Sequence, residues 1–338
     1  MPILGNHDSY SFLYQNAAAG GYATAFGTAL PQNGEGLSGG PGVPSGSWAY
    51  YSMNYGRVHI VALDSMNSRS NTSFLWGLPQ AGGWQGFNAA GTAYPSAVLP
   101  ASVQGLWAAL GSPRQAQWLA ADLASVAAAK NVIDFVVVLY HHPAYADGSH
   151  KSDKEIEMIE MRQLYNPILE AGGADIVFHG HSHQYERQQP TAGFVGTQAQ
   201  WNPAFAFPLT TSTNALGTIQ TQSKPAGITA SQGTTYVVAG SGGQLQAAGV
   251  PNFVSKAYSL NATVSCALDA QYIPNPTLTL TCTTPGVAGI LSAGIVDQLV
   301  ISKPVQPAVV VASDAAASRR PLALLASACA VAVAALLL

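Results

Sequence analysis

The segment VIDFVVVLY, residues 132–140, is a run of β-branched and aromatic side chains with a single charge. Such a continuous apolar run predicts a strand that is covered on both faces, as in a parallel sheet. Three further buried strands are predicted, one before it in the chain and two after it: RVHIVAL (57–63), DIVF (175–178) and TTYVVA (234–239).

Helices are predicted between these strands. Ser112-Pro113-Arg114-Gln115 has the pattern of a capping box with proline at the first helical position, and opens a helix that reaches about Lys130. Ser152-Asp153-Lys154-Glu155 predicts a second capping box, and Asn166-Pro167 is expected to interrupt the helix that follows. Alternating strands and helices predict an α/β fold. Later segments predict only strands: 257–264, 277–282 and 295–302.

Composition excludes two classes of protein. Only 9% of the 338 residues are charged, against roughly 25% in typical domains, which excludes a charge-rich disordered chain. Thirteen Lys and Arg face 16 Asp and Glu, which excludes a nucleic-acid binder that relies on a basic face. Cys266 and Cys282 lie in strand-like flanks and predict a hairpin disulfide if the compartment is oxidising, whereas Cys329 is expected to be unpaired.

The C-terminal residues 321–338 carry no charge and follow Arg319-Arg320. Together with small residues upstream, this tail predicts a GPI-attachment signal, a plain membrane anchor or a packed terminal helix. Sequons at Asn71 and Asn261 are candidate glycosylation sites and fit a secretory, extracellular or cell-surface location. No signal peptide is present at the N-terminus, so we expect the natural N-terminus to lie upstream of Met1.

The histidines indicate the chemistry. All eight lie within residues 7–183, and seven of them follow predicted strands or lie at strand ends or in adjoining loops. In open α/β sheets ligands bind at the carboxyl ends of the strands, and histidine is the commonest metal ligand. The sequence therefore predicts a metal site at this edge of the sheet. Only His59 lies inside a predicted strand, and we expect it to be structural.

Three motifs stand in order along the chain: Gly5-Asn6-His7-Asp8, Val138-Leu139-Tyr140-His141 and Gly180-His181-Ser182-His183, the last followed by Tyr185-Glu186-Arg187. This ordered set resembles the last three motif blocks of the calcineurin-like metallophosphoesterases. The extended form GHSHQYER is similar to the purple acid phosphatase branch. The resemblance covers roughly residues 2–245, with a weaker echo at 294–303.

The resemblance implies a metallophosphoesterase-type αββα sandwich, incomplete at its N-terminus and ending in β-strands. We expect this domain to occupy residues 1–304, with a linker at 305–320 before the hydrophobic tail. The family's earlier D-x-H and G-D-x-x-Y blocks, which supply a bridging carboxylate, do not occur in the sequence. This chain is therefore expected to be a fragment with compromised activity. Four aspartates are poor substitutes for that carboxylate: Asp64, Asp134, Asp147 and Asp175.

The resemblance also implies a ligand set for a dinuclear centre of Fe(III) plus Zn, Mn or Fe(II). Asn6, His141 and His181 would bind one metal, and His183 the other. His142 and His179 have no family role and are expected to lie around the ligands.

For catalysis, the resemblance implies that His7 contacts the phosphate or protonates the leaving group. His150, nine positions after His141, would assist, and Lys151 would add positive charge near the phosphate.

The expected reaction is the hydrolysis of a small phosphate monoester by a metal-activated hydroxide that attacks phosphorus. Two alternatives remain open at this stage: a secreted phosphodiesterase of the sphingomyelinase type, and a non-catalytic anchored surface protein.

Overall fold

The computed structural model describes Ile3, Gly5 and residues 40–46, 49–65, 114–129, 132–146, 148–214, 217–245, 256–260, 262–285, 294–305 and 330–331. Its strands are β1 Tyr51–Tyr55, β2 Val58–Ala62, β3 Phe135–Leu139, β4 Ile176–His179, β5 Tyr185–Gln188, β6 Thr210–Asn214, β7 Gly217–Ser223, β8 Thr235–Ala239, β9 Lys256–Leu260, β10 Ser265–Gln271, β11 Thr277–Thr284, β12 Gly294–Ser302 and β13 Ala330–Val331. Its helices are α1 Arg114–Ala128, α2 Ile156–Glu160 and α3 Asn166–Ala171, with a π-helical turn at Met161–Tyr165 and 3-10 turns at Gln198–Gln200 and Pro203–Phe205.

The strands form two sheets. The first has the order β1-β2-β3-β4-β8-β5-β9, and its centre, β2-β3-β4-β8, is parallel. These four parallel strands are the four that the apolar runs predict, so that prediction is confirmed. The second sheet has the order β13-β10-β11-β12-β7-β6 and is antiparallel except for the β12–β7 pair.

Alternate side chains of β3 enter different layers of the core. Val136 and Val138 pack towards the helices, in one cluster with Leu119 and Leu169. Phe135, Val137 and Leu139 face the second sheet, in a cluster that also contains side chains of β10, β11 and β12. Helices on one face and a sheet on the other explain why the strand is apolar throughout. The predicted α/β sandwich with C-terminal strands is confirmed.

The predicted second capping box is wrong. Ser152 does not cap the helix. Its hydroxyl accepts a hydrogen bond from the Ala146 N–H and donates one to the Ala146 C=O. Glu155 stands at the N-cap of α2, but its side chain makes no capping hydrogen bond. The restart predicted at Asn166-Pro167 is confirmed: the π-helical turn ends at Tyr165, and α3 begins at Asn166 with the proline in its first turn, a position that proline favours.

The two sheets are joined by a buried ion pair. Asp297 on β12 accepts hydrogen bonds from Arg187 Nε at 2.6 Å and Nη2 at 2.8 Å, and from the Tyr185 hydroxyl at 2.7 Å. Beside them a disulfide joins Cys266 and Cys282, which are directly opposed on β10 and β11. The Tyr185 hydroxyl lies 3.3 Å from Cys282 Sγ. The segment Tyr185-Glu186-Arg187, which follows the motif Gly180-His181-Ser182-His183, is therefore anchored to the second sheet.

Replacing Asp297 by asparagine should destabilise the fold by about 3–5 kcal/mol, because it leaves the buried Arg187 charge without its counter-ion. The free energy of unfolding in urea would measure the loss. Asp269→Asn is the matched control, since within the described part of the chain the Asp269 side chain accepts one exposed hydrogen bond, from Gln271, and its effect should stay within about 0.5 kcal/mol. Equal effects of the two changes would contradict the assignment.

Several predictions from the sequence fall beyond the described residues. They concern the sequons at Asn71 and Asn261, the first residues of the capping box at Ser112, and most of the apolar tail. Ala330–Val331 of the tail pairs with β10 at the edge of the second sheet. None of the helices in the described part of the chain is long and apolar enough to cross a membrane. The domain and linker boundaries and the membrane anchor stay predictions.

Candidate metal centre

The candidate site lies where β3 and β4 end side by side. Tyr140 N–H donates to Phe178 O, and Gly180 N–H donates to His141 O, both at 3.1 Å. These backbone bonds hold the residues after the two parallel strands at one edge of the sheet. His141 and the His181 turn are thus brought together by strand pairing, as the sequence predicts.

The turn that carries His181 has a tight backbone. His181 has φ +62°, a left-handed conformation that is uncommon for residues other than glycine and is concentrated at functional sites. Gly240, which follows β8, lies directly against this turn. A Cβ at Gly240 would stand 2.2 Å from Ser182 O, so only glycine lets the two segments pack this closely.

A first group of possible metal donors consists of His141, His142 and His181. Each offers a ring nitrogen, and these atoms all lie within 4.8 Å of one another. All three residues are buried. Ser65 holds the pair after β3 in place, because its hydroxyl lies 2.9 Å from His142 Nδ1 and accepts both backbone N–H groups. His142, expected only beside the ligands, therefore belongs to a donor group itself.

A second group consists of His150, Glu155 and His181. Glu155 lies between the two rings: its Oε1 is 2.8 Å from His150 Nδ1 and its Oε2 is 2.8 Å from His181 Nε2. Burial raises the pKa of Glu155, but hydrogen bonds from the two histidines outweigh it and bring the pKa to about 2. Glu155 is thus a carboxylate at any physiological pH.

Sequence reasoning missed Glu155 because a glutamate three positions after a serine has the pattern of a capping box. The one available signal was its position five residues after His150, in the loop that follows a parallel strand.

The remaining predicted site residues have different surroundings. His183 is partly exposed, and its backbone N–H donates to Ser149 Oγ at 3.2 Å. The described three-donor groups do not include it, so its ligand role stays a prediction. Lys151 is exposed next to His150. Asn6 and His7 lie outside the described residues, but Gly5 packs on the ring of His141, where a Cβ would be 3.1 Å from ring atoms.

Two histidines, His59 and His179, belong to neither donor group and are buried among other side chains. His59 is fully buried, with Nδ1 2.7 Å from Asn54 Oδ1 and Nε2 2.8 Å from Asp122 Oδ2. His179 is buried between the rings of Tyr140 and Tyr236, and burial lowers its pKa to about 3, so it is neutral.

Two of the four aspartates that the sequence marks as poor substitutes for the bridging carboxylate form ion pairs away from the histidines. Asp134 and Asp175 precede β3 and β4, at the opposite end of the strands from the histidines. Asp134 pairs with Arg57, and Asp175 with two lysines, Lys224 and Lys303. Asp64 is buried, and Asp147 lies outside the described residues.

Comparison with known families agrees with this geometry. The model of the calcineurin-like phosphoesterase family matches residues 1–185, more than half of the chain. The chain belongs to the calcineurin-like phosphoesterase family. The resemblance inferred from the three motifs is thereby confirmed.

Individual relatives match shorter parts of this phosphoesterase. It is 31% identical over 131 residues to an uncharacterized protein of Mycobacterium tuberculosis, covering 38% of this chain and 21% of that protein. It is 40% identical over 74 residues to purple acid phosphatase 18 of Arabidopsis thaliana, covering 22% and 16%. The chain thus spans about a fifth or less of the length of these relatives. These matches support the predicted purple acid phosphatase branch.

Among solved structures, the phosphoesterase is similar to a purple acid phosphatase from yellow lupin (Lupinus luteus) seeds. The TM-score is 0.40 at 14% identity, covering 80% of this chain and 38% of the lupin chain.

The family implies a dinuclear metal centre, and the described side chains fit metal binding. Imidazole nitrogens and one carboxylate make up the two donor groups, and this chemistry suits zinc, manganese and iron ions. The donors come from the segments after two neighbouring strands, so the pairing of those strands brings them together.

Proposed function

We propose that the protein hydrolyses small phosphate monoesters, as a purple acid phosphatase-like enzyme with Fe(III) and Zn, Mn or Fe(II) in its metal centre. The observation that carries this proposal is the gathering of His141, His142 and His181 within 4.8 Å at the carboxyl edge of the sheet. The motif GHSHQYER and the matches to purple acid phosphatases support the monoester class.

The chain's own residues have separate tasks in this proposal. Bound metal ions would supply water activation and neutralise charge on the phosphate oxygens. His141 and His181, with Asn6 and His183, would hold the ions. His7 or His150 would give a proton to the leaving oxygen.

The loop that carries His150 and Lys151 has side chains suited to binding the phosphate group of a substrate. Lys151 is exposed and follows His150 directly in the sequence, so the loop that carries this donor also carries a positive charge. This placement supports a substrate-binding role for Lys151 and His150.

We further propose that the protein works in an oxidising, extracellular or cell-surface location, where its apolar tail or a GPI anchor would attach it to the membrane. The disulfide between Cys266 and Cys282 supports this, because such bonds persist mainly in secreted proteins.

The proposal is tested with purified protein loaded with Fe and Zn. We expect hydrolysis of p-nitrophenyl phosphate at mildly acid pH, slower hydrolysis of bis-p-nitrophenyl phosphate, and loss of both activities with a chelator. Faster hydrolysis of the diester would favour a phosphodiesterase. No hydrolysis of either ester by protein shown to hold two metal ions per chain would overturn the proposal.

A further inference from the structure

We propose that His150, Glu155 and His181 together bind a divalent cation, with Glu155 as a direct carboxylate ligand. For its place in catalysis this inference rests on the proposed function, but the geometry that carries it does not. It assigns His150 to the metal rather than to the substrate, and therefore leaves proton donation to His7 and phosphate binding to Lys151.

The donor atoms already have nearly the spacing that an ion requires. Metal bonds of about 2.0–2.2 Å in a tetrahedral site place neighbouring donors about 3.3 Å apart. In the structure both Glu155 oxygens lie 2.8 Å from a histidine nitrogen, and the centroids of the His150 and His181 rings are 3.9 Å apart. Widening these contacts by about 0.5 Å would admit an ion between the three side chains.

The chemistry of the group matches a known type of site. Two histidines and one glutamate form the protein ligands of several catalytic zinc sites, in which a fourth position stays open. Here the side chain of His150 is 33% exposed and that of Glu155 15%, whereas that of His181 is 5% exposed. The group therefore has one buried wall and one side open to solvent, where water or substrate can enter.

The loop that carries His150 and Glu155 is held in place by contacts of the neighbouring Asp153 with Arg162 and Gln198. Asp153, two residues before Glu155, forms a 3.0 Å ion pair with Arg162 and accepts the Gln198 N–H at 2.7 Å. Arg162 is buried and also donates to the backbone oxygens of Ala144 and Ser152. Such support fixes ligand positions before the ion arrives, which lowers the cost of binding.

Glu155 also forgoes the local role that its position offers. At the N-cap of α2 its carboxylate makes no hydrogen bond to the helix N–H groups. Instead it turns towards two rings, one of them 26 residues away in the sequence. The carboxylate and the two imidazoles thus have donor atoms within 4.8 Å of one another, close enough to serve one ion.

The test measures Zn²⁺ affinity of the whole chain by calorimetry and the visible absorption of bound Co²⁺. Glu155→Gln should weaken Zn²⁺ binding by more than about 100-fold and change the Co²⁺ spectrum, because it removes a ligand; loss of an outer hydrogen-bond partner costs about 10–100-fold. Asp269→Asn is the matched carboxylate-to-amide control and should bind as the wild type does. A loss within the smaller range, or none, would overturn the proposal.

A second measurement uses only the wild-type protein, in case the variant does not fold. Diethylpyrocarbonate modifies free imidazoles, and its reaction at His150 can be followed by peptide mass spectrometry. Saturating Zn²⁺ should protect His150, and an unchanged rate would overturn the proposal.

The two proposals fail in different ways. Zn²⁺ binding that is independent of Glu155 in a protein that hydrolyses p-nitrophenyl phosphate would remove this inference and leave the proposed function. Glu155-dependent Zn²⁺ binding by a protein that hydrolyses neither ester would leave this inference and remove the proposed function.

Discussion

His181→Ala is expected to abolish metal binding, lowering the affinity for Zn²⁺ by more than about 100-fold. His181 is the one residue shared by both donor groups in the described part of the chain, so its removal leaves only two donors in each. Metal content per mole of folded protein, determined by elemental analysis after dialysis against a buffered metal concentration, would measure the loss.

His59→Ala is the matched control for this change. His59 is also a buried histidine, but its ring bonds Asn54 and Asp122 rather than any member of the donor groups. It should keep its metal content even if the fold is weakened, which circular dichroism would monitor. Equal metal loss in the two variants would refute the ligand assignment.

The metal-free protein is expected to lose a few kcal/mol of stability as the pH rises from about 6.5 to about 8. Below about pH 6.5 the buried His179 and His181, whose pKa values are lowered by burial, act in the opposite direction and offset the loss. Burial, together with the nearby Glu157 and Asp64, raises the pKa of Glu160 from 4.5 to about 8. Burial also raises the pKa of Glu170 to about 7, against opposing hydrogen bonds from Gly193 and Tyr236.

The direction follows from proton binding. In this pH range the unfolded chain has released the protons of Glu160 and Glu170, whereas the folded chain retains them. Folding therefore takes up protons, so its free energy becomes less favourable as the pH rises. Each pH unit between a group's two pKa values is worth about 1.4 kcal/mol. Glu155, with its pKa of about 2, acts only below about pH 4.5, where acidification destabilises the fold.

Urea unfolding with chelator present, repeated across this pH range, would check the prediction. Glu160→Gln and Glu170→Gln mimic the protonated side chains, so the double variant should show a much flatter dependence. The matched variant Asp269→Asn should retain the wild-type slope. Stability that rises with pH in the wild type, or an unchanged slope in the double variant, would contradict the prediction.

Local sequence patterns predicted the strands correctly but misled at Glu155. A strand such as β3 is specified by its own nine-residue apolar run, and the pairing of parallel neighbours then follows from the α/β alternation. A capping box is specified by only two residues, so the pattern S-D-K-E occurs without the structure. At Ser152 the hydroxyl found backbone partners at Ala146, and the capping interaction was lost.

The sequence by itself determined that His141 and His181 stand at one edge of a parallel sheet, because a residue that follows a strand has its position set by that strand. Only the tertiary structure decided that Glu155 faces both His150 and His181, and that Asp297 meets Arg187 110 residues away. Those contacts depend on how loops and a second sheet pack, and the energy of that packing comes from partners that no local pattern identifies.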